Sequence, residues 1–229
     1  MTFSLQAACF CRAGHMNAAR ETNLYFNGKC LEPNSKGLRH PGYWEQDLTG
    51  IPACMVLTEG CGENASRNAF AAANAIQTAE REWKDYLIPE RQYLQRLWER
   101  AKNVLEKPPE EQLRSLSGAI LYFTDRLVYV YSDGCPAFQQ RRNVFSQLSG
   151  HVRGEKEEPS IIQRGDIVPG DRYLVCSTGV ARALNNVDLT NLLSSGGSVQ
   201  ETAEAIVSSA KERAEDRMLS VIVCQIMQK

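Results

Sequence analysis

The sequence predicts an α+β fold built of layered sheets. Its strand-like segments come in groups, and long helices that do not alternate strictly with single strands separate the groups. A chain of 229 residues with 43% hydrophobic and 23% charged content is that of an ordinary soluble globular protein. It is long enough for one full-sized domain with a filled core, or for two small ones.

Residues 3–11 alternate well enough for a first strand, and Asn23–Cys30 give a second, with a hairpin turn at Asn27-Gly28. Gly37–Gly50 is polar and glycine-rich, contains Pro41, Tyr43 and Trp44, and reads as a surface loop. Ile51–Leu57 is short and nearly all apolar, the texture of a strand buried on both faces, and it ends at Thr58-Glu59-Gly60. From Glu63 the texture turns to alanine-rich helix through Trp83. A second helix follows Pro89 to about Glu106, and Lys107-Pro108-Pro109 stops it. Ser117–Tyr131 resumes strand texture in two runs around a turn at Asp125-Arg126, and residues 151–160 are charged and irregular. Gly170–Val180 reads as a tight turn feeding a buried strand, Tyr173–Cys176. That strand stops on Ser177, Thr178 and Gly179, where glycine lets the backbone turn at once. A helix follows near Val187–Leu193. A capping box of Ser198 with Glu201 then opens a helix to about Ala214, and the chain closes on the strand Ser220–Met227.

The formal charge of −1 gives no reason to expect nucleic acid or an anionic membrane as partner. No apolar run approaches the roughly 20 residues a membrane helix needs. The N-terminal stretch lacks the basic and long apolar regions of a signal peptide, so the expected location is cytoplasmic. Cysteines at 9, 11, 30, 54, 61, 135, 176 and 224 are scattered and mostly inside apolar segments, as small buried hydrophobes in a reducing compartment are. Cys9 and Cys11 with His15 have a second reading as metal ligands, because strand alternation puts both thiols on one face. No second ligand pair sits at zinc-site spacing, which favours the structural reading.

Several segments follow one another in a telling order: Gly14 to Thr22, MVLTEG with GENAS shortly after it, DRLVYVYSDGCPAF, and GDRYLVCSTG. Together they resemble the metal-dependent (type 2C, PPM) protein serine/threonine phosphatases. That family carries Gly-x-x-Arg-x-x-Asn-Glu-Asp, a strand ending Asp-Gly, Gly-Glu-x-Ala-Ser, Gly-Asp-Ser-Arg-Ala-Tyr, Ser-Asp-Gly, and Asp-Asn-x-Ser/Thr-Val before the last strand. The resemblance covers nearly the whole chain and implies a single domain over residues 1–229. It implies a four-layer α-β-β-α sandwich with two mostly antiparallel sheets. The family's flap subdomain is expected to be reduced or missing, since only residues 149–170 bridge the interval it occupies.

The family's reaction, as the resemblance implies it, is hydrolysis of phosphoserine or phosphothreonine by water bridging two Mg²⁺ or Mn²⁺ ions. Two close dications need several hard anionic oxygens, and the family supplies aspartates at strand ends. Here the phosphate-gripping arginine falls on Asn17 and the Asp of Asn-Glu-Asp on Thr22, with Glu21 kept before it. The first Asp-Gly becomes Glu59-Gly60, the Asp of Gly-Asp-Ser-Arg falls on Gly134, and the Asp of Ser-Asp-Gly becomes Thr178. The last Asp falls on Asp216 if one residue is inserted before Ser220, and on Arg217 without that shift. A threonine hydroxyl is neutral and replaces a carboxylate poorly on a hard dication.

Two readings follow. In the first, the chain is a catalytically degenerate, phosphatase-like binding or regulatory module in phospho-signalling, with no cofactor and with a kinase or phosphoprotein as partner. Arg20, Tyr43 and Trp44 are candidate contacts in that reading. In the second, the chain is an active metal-dependent phosphatase whose atypical site binds a single Mg²⁺ or Mn²⁺ through Glu21, Glu59, Asp216 and the Gly60 carbonyl. Each of these residues also has a structural reading: Glu59 as a charge at a helix N-terminus, Glu21 as a solvated carboxylate, Asp216 as a helix-end cap or ion-pair partner, and Thr178 as a strand end.

Overall fold

The first hairpin shows how local chemistry sets this architecture. Asn27 and Gly28 both have positive φ (50° and 73°), the conformation that a two-residue turn matched to strand twist requires. They join β2 (Arg20–Phe26) to β3 (Lys29–Cys30). The computed structural model describes residues 2–13, 20–32, 35, 37–62, 64–83, 88–105, 116–149, 159–213 and 218–229.

Among the described residues the strands form two six-stranded sheets whose ladders are antiparallel. Sheet I contains β1 (Phe3–Arg12), β4 (Gly42–Asp47), β8 (Ala137–Arg141), β9 (Val144–Ser149), β11 (Arg172–Cys176) and β12 (Leu219–Gln228), in the order β4-β1-β12-β11-β8-β9. Sheet II adds β5 (Ala53–Cys61), β6 (Leu116–Phe123), β7 (Val128–Asp133) and β10 (Ser160–Arg164) to the hairpin, in the order β10-β7-β6-β5-β2-β3. The helices are α1 (Ala65–Trp83), α2 (Glu90–Asn103), α3 (Thr178–Ala183), α4 (Asn186–Ser194) and α5 (Val199–Lys211).

Strand alternation divides the apolar side chains into three cores. Leu5, Ala7 and Cys9 of β1, Met55 and Leu57 of β5, Tyr173 and Val175 of β11, and Ile222 and Cys224 of β12 fill the space between the sheets. The outer face of sheet I, including Phe10, Leu174 and Val221, packs on α3, α4 and α5. The outer face of sheet II, including Val56, Ile120 and Tyr131, packs on α1 and α2. The layering is therefore α-β-β-α, as expected.

α1 buries a stripe of Ala65, Ala69, Ala72, Ile76 and Ala79, spaced so that one narrow face of the helix meets the sheet. α2 contributes the fully buried Trp98, whose ring occupies the space above Gly118 of β6. A Cβ at Gly118 would stand 2.3 Å from the Trp98 ring and 2.6 Å from the Leu57 carbonyl oxygen. On sheet I, buried Asp171 accepts from Arg141 Nε at 2.9 Å and its terminal nitrogen at 2.7 Å, and from the Val168 N–H at 3.1 Å. Arg172 reaches into the helical layer, donating to the Leu193 carbonyl at 2.9 Å, to the Gly197 carbonyl and to Thr202. It thereby ties the end of α4 to the start of α5. The capping box at Ser198 and Glu201 is present, and a second one at Asn185 and Asp188 opens α4.

Three local readings change. Gly42–Asp47, inside the expected loop, is the edge strand β4, paired with Ser4–Cys9 of β1. Thr178 and Gly179 do not turn away from β11 but begin α3, with Ser177 as its N-cap. Ser160, the last residue of the expected irregular stretch, begins β10 on the edge of sheet II, and residues 150–158 lie outside the described residues. None of the eight cysteines is in a disulfide. Cys9 and Cys11 sit in the inter-sheet core, where burial pushes both thiols up to about 12, and His15 lies outside the described residues.

Gly118→Ala is expected to destabilise the fold by about 1–3 kcal/mol through overpacking against Trp98, read from the urea midpoint. Burial raises the Glu80 carboxyl on α1 from an ordinary 4.5 to about 7. Between those values the folded chain holds a proton that the unfolded chain has lost, so this group's contribution falls as pH rises through the window. Glu80→Gln should therefore be more stable than the parent at pH 8 and nearly equal to it at pH 4.5, compared by denaturant midpoints at the two pH values.

Candidate functional site

β5 delivers the central residue. Its inward face runs Ala53, Met55, Leu57, Glu59, so the apolar inter-sheet stripe ends in a carboxylate that is only 2% exposed. A buried carboxylate is costly unless hydrogen bonds compensate it, and sheet I supplies them. The Thr178 N–H donates to Glu59 Oε2 at 2.8 Å, and the Thr178 hydroxyl is hydrogen-bonded to Glu59 Oε1. The Cys135 thiol approaches Oε2 at 3.7 Å. Glu59 thus accepts from the first N–H of α3, 119 residues further along the chain, an N–H that the helix itself leaves open. Burial, and then the negative charge of Glu59, hold the neighbouring Cys176 thiol well above its ordinary range.

Thr22 makes the parallel link. It faces Glu59 across the β2–β5 ladder, shares the inward face, and hydrogen-bonds through its hydroxyl to Ser220 Oγ of β12. Its N–H contacts Met218 Sδ at 3.3 Å. Ser177 completes the sheet I side: its hydroxyl donates to the Met218 carbonyl at 3.3 Å and accepts from the Ser220 N–H at 3.1 Å. The structure therefore gathers Thr22, Glu59 and Thr178 at one end of the sandwich and adds Ser177, Ser220 and Cys135 to them.

The remaining expected site residues are placed differently. Glu21 lies opposite Gly60 in the ladder, and strand alternation assigns it to the other face of sheet II from Thr22. It is half-buried, which raises its carboxyl pKa. Gly60 abuts the start of α1, where a Cβ would lie 2.0 Å from the Ala65 carbonyl oxygen. Gly134 has φ +86°, and a Cβ there would stand 2.9 Å from Ser117 Oγ, so a larger residue is strained at that point. Its neighbour Asp133 accepts from the Trp98 indole at 2.7 Å, and burial raises its carboxyl pKa. Trp44 packs edge-on against Phe26 at 6.0 Å, while Tyr43 is exposed and donates to Glu45 at 2.8 Å. Asn17, Asp216 and Arg217 lie outside the described residues, as does the side chain of Arg20.

A pair of hard dications requires several anionic oxygens converging on one point. The described residues that converge here offer one carboxylate, engaged by donors, among the hydroxyls of Thr22, Ser177, Thr178 and Ser220. That donor set does not fit a two-cation centre. Among the described residues, no group of three or more His, Cys, Asp or Glu is placed to hold a metal ion. A cleft of about 930 Å³ opens nearby, lined by Phe138 and Gln147 of sheet I and by Ala181, Arg182, Leu184 and Val187. α3 spans the interval, with Thr178 at Glu59 and its last residues in the cleft wall.

Sequence reasoning assigned no role to Ser177 or Ser220. Their signal is the small polar residue at each strand terminus, Ser177 just after β11 and Ser220 near the start of β12, which antiparallel pairing places at the same end of neighbouring strands.

No family profile and no curated protein matches the chain. Solved structures do. The Mycobacterium tuberculosis serine/threonine phosphatase PstP/Ppp superposes with a TM-score of 0.70 at 15% identity, over 98% of this chain and 100% of its own. The PstP catalytic domain in complex with two manganese ions gives 0.67 at 14% identity, over 99% and 100%. PppA of Pseudomonas aeruginosa, a key regulatory component of T6SS, gives 0.59 at 16% identity, over 76% and 86%. The phosphatase domain of the Bacillus subtilis cell fate determinant SpoIIE gives 0.58 at 10% identity, over 99% and 94%. This chain is built on the fold of the metal-dependent PPM (type 2C) serine/threonine phosphatases.

Proposed function

We propose that residues 1–229 form a single PPM-fold domain that is catalytically degenerate and acts as a binding or regulatory module in phospho-signalling. The observation that carries this reading is the pairing of Glu59 with Thr178. A carboxylate at position 178 would face Glu59 across the inter-sheet space, and the two negative charges would require a cation between them. Threonine instead presents a hydroxyl and an N–H to the same carboxylate, and the pair is satisfied without one. Beside it, the Thr22 hydroxyl is paired with a second neutral hydroxyl, that of Ser220.

The regulatory part of the proposal draws on two of the structural neighbours, one a component of T6SS regulation and the other a cell fate determinant. The partner in this reading is a protein, a kinase or a phosphoprotein. The cleft beside α3 and α4 is where we place its contact, because it joins exposed apolar surface at Val187 to polar groups at Gln147 and Asn186. No described helix is long and apolar enough to cross a membrane; we assign the domain to the cytoplasm.

The full chain is expected to release no phosphate above buffer from p-nitrophenyl phosphate or a phosphothreonine peptide, with or without millimolar Mn²⁺. Manganese-dependent turnover abolished by Glu59→Ala would overturn the reading. It would favour the atypical single-metal phosphatase built on Glu21, Glu59, Asp216 and the Gly60 carbonyl.

A further inference from the structure

The two sheets must be held together at the end where Glu59, Thr22, Thr178 and Ser220 meet, and that end is polar. Elsewhere the inter-sheet space is closed by apolar packing such as Phe123 on Tyr173, edge to face at 5.2 Å. Such packing stops at Leu57 on β5 and at Val175 on β11, one residue pair short of Glu59 and Ser177. Beyond it, Cys11, Cys135 and Met218 continue the core, and the described residues add hydrogen bonds between the two sides: Thr178 to Glu59, Thr22 to Ser220, and the Thr22 N–H to Met218, with the thiol of Cys135, in the β7–β8 connection, also on Glu59.

We propose that these bonds form a cation-independent latch across the sandwich, in which neutral hydroxyl donors do the bridging that divalent cations would do between facing carboxylates. The inference rests on the degenerate reading of the site and extends it, since it assigns the substituted residues a positive role. Each half of the latch takes one member from each sheet. Thr22 and Glu59 are neighbours on β2 and β5. Ser220 is held to Ser177, directly before Thr178, by the Ser177 N–H to the Ser220 carbonyl at 2.9 Å and the Ser220 N–H to Ser177 Oγ at 3.1 Å. The two cross-sheet bonds are thus coupled within each sheet, and breaking either one takes a hydrogen bond away from a buried polar group.

The test is thermal unfolding of the full chain with 1 mM EDTA or 1 mM Mn²⁺, on the parent, Thr178→Val, Thr178→Ser and Thr178→Asp. The parent midpoint is expected to be the same in both buffers. Thr178→Val leaves Glu59 short of a donor and should fall by about 4–10 °C in both; failure of this variant to fold has the same meaning. Thr178→Ser keeps the hydroxyl and should stay near the parent. Thr178→Asp should be destabilised in EDTA and recover in Mn²⁺. A parent midpoint that drops in EDTA, or a Thr178→Val midpoint equal to the parent's, overturns the latch. The EDTA arm uses the unaltered chain and decides even where variants do not fold. Failure of the latch with no phosphatase turnover leaves the degenerate reading standing, whereas turnover in Mn²⁺ removes the reading itself.

Discussion

A single buried carboxylate sets the terms for the rest of this structure. Glu59 ends the inward stripe of β5, almost wholly removed from water, and a charge there is tolerated only if the facing sheet presents donors. That requirement fixes where α3 begins, because the Thr178 N–H must point at Glu59 while its hydroxyl takes the second oxygen. It also fixes the end of β11 and its register on β12, because Ser177 is stitched to Ser220 on one side and leads into Thr178 on the other. Two sheets whose interface is otherwise mainly apolar packing gain bonds with direction at this end.

Much of the layout could be read from the chain. Asn27-Gly28 is legible because few residue pairs accept positive φ twice in succession. The alanine-rich α1 is legible because small residues at helical spacing mark a close helix-to-sheet approach. β4 was not, because an edge strand with Tyr43, Glu45 and Asp47 facing solvent has the composition of a loop and pairs on only one side. The start of α3 was not either: Ser-Thr-Gly has the local chemistry of a turn, and it becomes helical through a bond to a residue on the other sheet, which no local pattern encodes.

The site was legible by position and not by partnership. Thr22, Glu59 and Thr178 were singled out because each falls where the resembled family carries an aspartate, and the structure does bring them to one place. What pairs with what depends on which sheet each strand joins and which face each residue takes. Thr22 and Glu21 are adjacent in sequence, yet alternation sends them to opposite faces. The serines were overlooked because their role is defined by each other, through a ladder between β11 and β12 that only the tertiary fold creates.

Gly60 carries a different lesson. It is half of a strand-end signature, and its persistence beside an altered acidic residue invites the inference that some chemistry survives. Its surroundings give another reason: with the Ala65 carbonyl 2.0 Å from where a Cβ would lie, any side chain there would push the first turn of α1 off the sheet. Packing alone demands glycine at position 60, whichever acidic residue stands before it. The informational value of a surviving glycine as a marker of activity is therefore close to nil, and the residue beside it is the one that reports whether the chemistry was kept.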